Sequence, residues 1–136
     1  METALHQADI LKLNTDELAY IKGLVGGEDS PEAFIDRLMR TYHLDLLALT
    51  RGEQGSLLFT KHQKVEACLQ SPQTIIDTVG AGDAYAAVLA MGWFKGLPLS
   101  RTADLASAFA GRICSFSGAL PDDARVYEML CQQNQG

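Results

Sequence analysis

The residues with the clearest capacity for chemistry lie in the string D-T-V-G-A-G-D, Asp77 to Asp83, which precedes a long apolar run. Its glycines, Gly80 and Gly82, permit backbone angles that other residues rarely adopt. The apolar run predicts a buried helix, and the free amides and positive dipole at the start of a helix attract a phosphate or a developing negative charge. A carboxylate at Asp83 would then be placed to accept a proton from a substrate hydroxyl.

An isolated G-x-G-D string also has an ordinary explanation, because an acidic residue is favoured in the first turn of any helix. The spelling excludes two other phosphate-binding motifs. A Walker A loop requires G-x-x-x-x-G-K followed by Ser or Thr, and no glycine of this chain begins that string. The dinucleotide fingerprint requires Gly or Ala at its sixth position, where this chain has Tyr85.

Two strings further upstream contain residue types that suit nucleotide binding. Residues 14–17 read N-T-D-E, and their amide and carboxylate side chains suit either the cap of a following helix or a place near a metal ion. Residues 50–55 read T-R-G-E-Q-G, and glycine lets a ligand approach the backbone closely. The ordinary alternative for this second string is a plain turn between two strands.

Together, these three strings resemble motifs of the ribokinase-like (PfkB) family of carbohydrate kinases. D-T-V-G-A-G-D-A-Y is similar to the family's second signature, residues 14–17 to its N-x-x-E motif, and residues 50–55 to its T-x-G-x-x-G nucleotide turn. The resemblance runs from about Asp9 to Ala119. It implies an ATP-dependent kinase that transfers the γ-phosphate to a hydroxyl of a fructose-like or ribose-like sugar, with a nucleoside such as adenosine as the alternative acceptor.

The same resemblance implies a role for each motif residue. Asp83 would be the base that takes the hydroxyl proton, and the backbone amides of residues 80–82 would form an anion hole for the transferring phosphoryl group. The predicted catalytic set is therefore Asp83, Gly80, Ala81 and Gly82. The residues predicted to hold ATP and Mg²⁺ are Asn14, Glu17, Thr50, Gly52 and Gly55, with Glu17 acting on Mg²⁺ through water.

Two further contacts follow from the resemblance. Many members hold a monovalent cation such as K⁺ beside the anion hole, and here Asp77 and the carbonyl of Val79 would be ligands, together with the loop at 115–119. Several relatives carry Asn in the helix beside the adenine, and this chain has Ser107 at that place. Ser107 is therefore the predicted contact with the base.

The elements that must position these residues alternate along the chain. Strands are predicted at 9–14 and 44–50, and two shorter ones, at 56–60 and 65–69, flank a polar tip as a hairpin at a sheet edge. Helices are predicted after Asn14, with Leu18, Ile21, Leu24 and Val25 at helical spacing, and from the N-cap Ser30. Further helices are predicted after Asp83, from the N-cap Ser100 with Leu105, Phe109, Ile113 and Phe116 on one stripe, and at 122–132.

This order predicts an α/β fold, a ribokinase-like three-layer α/β/α sandwich with a mainly parallel sheet and an antiparallel edge hairpin. Complete family members are much longer. Residues 1–136 are therefore expected to be the C-terminal nucleotide-binding and catalytic part, without the lid and the N-terminal sugar-binding half. An open strand edge at 9–14 would favour a homodimer or docking with that missing half. The alternative function is a non-catalytic nucleotide-binding fragment without an acceptor site.

Composition restricts the remaining classes. With 136 residues, 47% of them hydrophobic and 21% charged, the chain suits one globular domain. A net charge of −6 argues against nucleic-acid binding, and Glu53 argues against a G-x-x-G clamp loop at 52–55. The three cysteines and three histidines lie far apart, so neither a disulfide framework nor a transition-metal site is indicated.

Membrane insertion and secretion are not expected from the sequence. Residues 1–10 lack the basic stretch and apolar run of a signal peptide. The apolar run 84–94 is shorter than the about 20 residues that a membrane span requires. We therefore expect a cytoplasmic protein with reduced thiols and no membrane partner.

Overall fold

The computed structural model describes residues 2–68, 78–117 and 124–132 of the chain. These residues belong to two compact units, Met1–Glu66 and Ala67–Gly136. The elements of the first unit, in chain order, are α1 (Glu2–His6), β1 (Ile10–Asn14), α2 (Thr15–Val25), α3 (Pro31–Tyr42), β2 (Leu46–Thr50), a 3₁₀ turn (Gly52–Gln54), β3 (Ser56–Phe59) and β4 (Lys64–Ala67). The predicted alternation of strands and helices is confirmed in this unit.

The four described strands form one mixed sheet in the order β1-β2-β3-β4. β1 runs parallel to β2, with Ile10 opposite Leu46, and β2 runs antiparallel to β3, with Thr50 opposite Ser56. The predicted hairpin is present, because β3 and β4 are neighbours joined through a bond of 2.9 Å from the Thr60 amide to the Gln63 carbonyl. Among the described strands, parallel pairing is limited to β1 and β2, the pair that has a helical crossover between them.

The core of the first unit lies between the sheet and the two longer helices. α3 buries one face, made of Phe34, Ile35, Leu38, Met39 and Tyr42, against the strands. α2 buries Leu18 and Ile21, but Leu24 and Val25 remain 57% and 49% exposed, so this part of the predicted apolar face is not covered. Periodicity identified the face of the helix, whereas its burial depends on what packs there.

Local hydrogen bonds define both ends of α3. Ser30 is the N-cap as predicted, its hydroxyl accepting a hydrogen bond of 3.3 Å from the Ala33 amide, with Pro31 as the first helical residue. At the other end, His43 has a left-handed backbone with φ of 55°, and the amides of His43 and Leu44 both donate to the Met39 carbonyl. This C-terminal cap normally favours glycine.

The connection between α2 and α3 is held by two basic side chains. Arg37 donates to the Gly26 carbonyl at 2.8 Å and forms an ion pair with Asp29 at 2.9 Å, while its guanidinium lies over the Phe34 ring. Lys22 donates to the Asp29 carbonyl. These contacts tie the glycine-rich connection to α3.

The described elements of the second unit are α4 (Ala81–Phe94), α5 (Leu99–Ile113), a 3₁₀ turn (Ala124–Tyr127) and α6 (Glu128–Cys131). α4 and α5 pack closely at Gly92, where a Cβ atom would lie 2.6 Å from both branches of the Thr102 side chain. The turn packs on α5 through Tyr127, whose ring centroid is 5.8 Å from that of Phe109. None of the helices in the described ranges combines the length and hydropathy of a membrane span.

Two boundary predictions in the second unit are wrong, and a third lies partly outside the described residues. α5 begins at Leu99 after the N-cap Pro98, because the Pro98 carbonyl accepts the Thr102 amide and places Ser100 inside the helix. Phe116 lies beyond the end of α5, in a turn closed by its amide on the Ile113 carbonyl. The helix predicted at 122–132 starts outside the described residues, and its described part is a 3₁₀ turn followed by one α-helical turn, a common form at helix ends.

Candidate functional site

The N-x-x-E string lies where β1 ends and α2 begins. The Asn14 side chain accepts a hydrogen bond of 2.8 Å from the Glu17 amide, and Glu17 Oε2 accepts one of 2.8 Å from the Asn14 amide. This reciprocal pair is a capping box, which satisfies two otherwise unpaired amides. The capping alternative is thus confirmed, and a role of these residues towards Mg²⁺ stays a prediction.

Glu17 nevertheless fits a magnesium site reached through water. Its side chain is 50% exposed, and among the described residues its partners, the Asn14 amide and Lys12 Nζ at 4.0 Å, engage only Oε2. Within the described ranges no three His, Cys, Asp or Glu side chains cluster as metal ligands. Mg²⁺ commonly uses one or two carboxylates plus substrate phosphates and its own waters, so a single carboxylate with one unengaged oxygen suits it.

Thr50 lies beside this capping box at the carboxyl end of the parallel strand pair. Its Cα is in register with that of Asn14, and its hydroxyl donates to the Leu13 carbonyl at 3.3 Å. Ligands of α/β proteins bind outside the carboxyl ends of parallel strands. The structure therefore brings Asn14, Glu17 and Thr50 together at the edge where such a ligand is expected.

The turn after Thr50 has the geometry that its two glycines were predicted to allow. Gly52 and Gly55 have φ values of 58° and 80°, which side chains with a Cβ atom rarely adopt. The Arg51 amide donates to the Gly55 carbonyl at 2.8 Å, and the Gly55 amide donates to the Gly52 carbonyl at 3.1 Å. The predicted turn is present, and its contact with a nucleotide remains a prediction.

Sequence reasoning missed Arg51, the second residue of this string. Its Nη2 atom donates to the Gln54 carbonyl at 3.0 Å and to Glu66 Oε1 at 2.5 Å. Glu66 lies on β4, fifteen residues away. No local pattern links two residues so far apart, so only the strand order reveals the pair.

In the second unit, the glycine string forms the start of α4. Gly80 is the N-cap, with a left-handed φ of 84°, and no side chain among the described residues caps the helix. The Ala81 amide donates to the Thr78 carbonyl at 3.3 Å and the Ala84 amide to the Gly80 carbonyl at 2.9 Å. Within the described ranges, the amides of Gly82 and Asp83 have no such partner. Of the amides predicted to form the anion hole, that of Ala81 is thus engaged in the turn, whereas that of Gly82 is an open donor and that of Asp83 adds another.

Asp83 has the exposure that a base requires. It lies in the first turn of α4 and its side chain is exposed. The carboxylate and the open amides thus share one helix end, which is electrostatically suited to negative charge. This combination can hold a phosphoryl group and accept a proton beside it.

The structure describes part of the predicted K⁺ site and the predicted contact with the adenine base. Val79 is 60% exposed, whereas Asp77 and residues 118–119 lie outside the described residues, so the K⁺ site stays a prediction. Ser115 is placed at the end of α5, where its hydroxyl donates to the Arg112 carbonyl at 2.6 Å. Ser107 is only 2% exposed, which leaves its hydroxyl without a surface for a base in this conformation.

Comparison with known proteins identifies relatives in sequence. The family described as pfkB family carbohydrate kinase matches residues 1–124. The chain is 33% identical over 103 residues to the bifunctional protein HldE of Methylobacillus flagellatus, covering 76% of this chain and 21% of that protein. It is 34% identical over 104 residues to the fructokinase of Salmonella typhimurium, covering 76% of this chain and 32% of that protein. The chain thus spans a third or less of the length of these two relatives.

Solved structures give the same relationship in three dimensions. The adenosine kinase of Sinorhizobium meliloti matches with a TM-score of 0.75 and 27% identity, over 92% of this chain and 36% of that one. The nucleoside kinase of Methanocaldococcus jannaschii matches with a TM-score of 0.74 and 28% identity, over 94% and 41%. The ribokinase of Thermotoga maritima, at 21% identity and a TM-score of 0.78 over 96% and 45%, shares the fold.

Proposed function

Because the chain belongs to the pfkB family of carbohydrate kinases and has a ribokinase-like α/β fold, we propose that residues 1–136 are the C-terminal nucleotide-binding and catalytic part of an ATP-dependent phosphotransferase. The proposed reaction moves the γ-phosphate of ATP to a hydroxyl of a sugar such as fructose or ribose. A nucleoside such as adenosine is the alternative acceptor. The proposed place of action is the cytoplasm.

The start of α4 is the observation that carries this proposal. The amides of Gly82 and Asp83 are open within the described residues, and the left-handed Gly80 turns the chain into the helix without a capping side chain. A phosphoryl group passing through its transition state carries negative charge that such amides stabilise. Asp83 accepts the hydroxyl proton, the hydroxyl oxygen forms the new bond to phosphorus, and the bond to the ADP oxygen breaks.

The end of the parallel strand pair supports nucleotide binding. Thr50 and the backbone of the turn 52–55 would contact the nucleotide, and Asn14 and Glu17 would lie near its phosphates. Mg²⁺, when bound, neutralises charge on the transferring phosphate. The half-exposed Glu17 would orient the waters of that ion, and it would have to do so without losing its capping bond to the Asn14 amide.

The proposal also includes a cation, a contact with the base and a protein partner. K⁺ beside the start of α4 would be held by Asp77 and the Val79 carbonyl. Ser107 would reach the adenine base only after a conformational change that exposes it.

A second copy of the chain, or the part that corresponds to the N-terminal half of the relatives, is the proposed partner. Its docking edge would be β1, which has β2 as its single neighbour among the described strands.

Isothermal calorimetry with MgATP, with and without K⁺, tests the nucleotide site. We expect saturable binding that is lost or strongly weakened in Gly82→Val, because the added side chain would occupy the space in front of the open amides. Circular dichroism must show that both proteins fold equally well. If the unchanged chain and Gly82→Val are both folded and bind MgATP with equal affinity, the start of α4 is not part of the nucleotide site.

Phosphorylation assays with fructose, ribose and adenosine test the base. Asp83→Asn is expected to retain MgATP binding and lose about 100-fold or more in turnover, because it removes the base without adding bulk. Asp104→Asn is the matched control, since Asp104 is an exposed carboxylate on α5 of the same unit. Unchanged turnover in Asp83→Asn would exclude Asp83 as the base.

The second candidate function is a nucleotide-binding fragment without catalysis. The start of α4 supports it as well, because open amides at a helix N-terminus bind a phosphate whether or not that phosphate is transferred. One experiment distinguishes the two candidate functions. Binding of MgATP without turnover of any acceptor, also after addition of a relative's N-terminal half, would support the second.

A further inference from the structure

Arg51 forms hydrogen bonds with the turn 52–55 through both its backbone and its side chain. Through its backbone, the Arg51 amide donates to the Gly55 carbonyl at 2.8 Å, and its carbonyl accepts from the Gln54 amide at 3.2 Å. Through its side chain, Nη2 donates to the Gln54 carbonyl at 3.0 Å. One residue therefore engages both polar backbone groups of Gln54.

Glu66 holds the Arg51 side chain in that place. Its Oε1 atom accepts from the same Nη2 at 2.5 Å, and the Arg51 side chain is only 20% exposed. The strand order puts β3 between β2 and β4, so this ion pair joins Arg51, the residue after β2, to a strand that does not pair with β2. The turn is thereby anchored to the hairpin strand on the far side of β3.

Two features indicate that the conformation of the turn depends on these contacts. Gly52 and Gly55 both have positive φ, and glycine loses more freedom on ordering than any other residue. The Arg51 Nε atom is buried without a partner among the described residues, which is unfavourable. The guanidinium stays there because its Nη2 contacts compensate.

We propose that Arg51 is a positioning residue that fixes the turn 52–55 for the nucleotide, with Glu66 holding Arg51 in place. This inference rests on the proposed nucleotide site at Thr50 and the turn. A turn that is already ordered binds without the cost of ordering it, so Arg51 acts on affinity through the backbone of the turn. Arg51 itself need not touch the ligand, since its charge is already paired with Glu66.

The test compares Arg51→Met with the unchanged chain in two measurements. Hydrogen exchange of the Gln54 and Gly55 amides reports the turn without any ligand, and calorimetry reports the dissociation constant for MgATP. We expect the exchange rate of these two amides and the dissociation constant for MgATP each to rise about tenfold. A tenfold change corresponds to about 1.4 kcal/mol. Arg51→Lys keeps the charge but has a single donor centre, and is expected to recover part of both effects.

Lys64→Met is the matched control. Lys64 also lies on β4 and forms an ion pair, but with Glu32 on α3 and away from the turn. Its replacement removes an ion pair from the same strand and should leave both measurements unchanged. An equal effect of Lys64→Met would show that Arg51→Met acts through general loss of the hairpin, and would overturn the inference.

The outcomes separate the inference from the proposed function. Unchanged amide exchange in Arg51→Met overturns the role of Arg51 whether or not ATP binds. Faster exchange with an unchanged dissociation constant overturns the link between the turn and nucleotide affinity. If the unchanged chain does not bind MgATP, the proposed function fails, and amide exchange alone decides whether Arg51 fixes the turn.

Discussion

Gly92→Ala should destabilise the second unit, although the same change usually stabilises a helix. Alanine in place of glycine inside a helix is favourable by about 1 kcal/mol. At Gly92, however, the new Cβ would lie 2.6 Å from both Cγ2 and Oγ1 of Thr102 and 3.1 Å from its Cβ. Carbon atoms normally approach to about 3.5–4.0 Å, so the overlap is about 1 Å.

Rotation of the Thr102 side chain does not remove this overlap. Both branches lie at the same distance, so turning one away leaves the other in contact. Thr102 is only 2% exposed, so its side chain cannot move out into solvent without a shift of the helices. Overpacking of this kind costs roughly 1–3 kcal/mol, and a close contact with two Thr102 atoms at once belongs at the upper end of that range. With the helix gain of about 1 kcal/mol subtracted, we expect a net loss of about 2 kcal/mol in the free energy of unfolding.

Urea unfolding followed by Trp93 fluorescence and circular dichroism measures this effect. Trp93 is the single tryptophan of the chain and adjoins Gly92. Gly23→Ala is the matched control, because a Cβ at Gly23 in α2 meets nothing within 4 Å and should stabilise by about 1 kcal/mol. Adding Thr102→Ala to Gly92→Ala should recover most of the loss, a coupling that a double-mutant cycle detects. A Gly92→Ala protein as stable as the unchanged chain would refute the close packing of α4 on α5.

Two further stability predictions follow from the same structure. Thr102→Val should raise the free energy of unfolding by about 1 kcal/mol, because the buried Thr102 hydroxyl has no partner among the described residues. Thr102→Ser keeps that hydroxyl and serves as the control. A Val protein that is less stable than the Ser protein would contradict the reasoning. His43→Gly should stabilise by about 0.5–1 kcal/mol, because His43 has a φ of 55° at the end of α3. His43→Ala retains the Cβ and serves as control, and equal unfolding midpoints for the Gly and Ala proteins would argue against backbone strain.

The parts of the fold that the sequence predicted well are those set by neighbouring residues. Ser30 and Pro31 form the start of α3 within one turn, and the polar tip 61–64 separates two strands that pair with each other. The capping box of Asn14 and Glu17 is likewise local, and it was one of two interpretations that the sequence left open. The structure confirms the cap, and a function of the same side chains towards a metal ion would need a ligand that no local pattern describes.

The parts that the sequence could not predict depend on distant residues or on competing local bonds. The pair of Arg51 and Glu66 joins residues fifteen positions apart, and it depends on the order in which β2, β3 and β4 pair. Pro98 takes the place expected for Ser100, since its carbonyl accepts the amide that starts the helix. The Ala81 amide, predicted to face a ligand, instead closes a turn on the Thr78 carbonyl.

The order of the sheet also has a consequence for how the first unit assembles. β2, β3 and β4 follow one another in the chain and in space, so their pairing closes only short loops. β1 pairs with β2 across the whole of α2 and α3, and this longer closure costs more chain entropy before any contact forms. We therefore expect β1 to join last and to leave first in a partial unfolding event. Such an event would detach Asn14 and Glu17 while Thr50 and the turn 52–55 keep their shape.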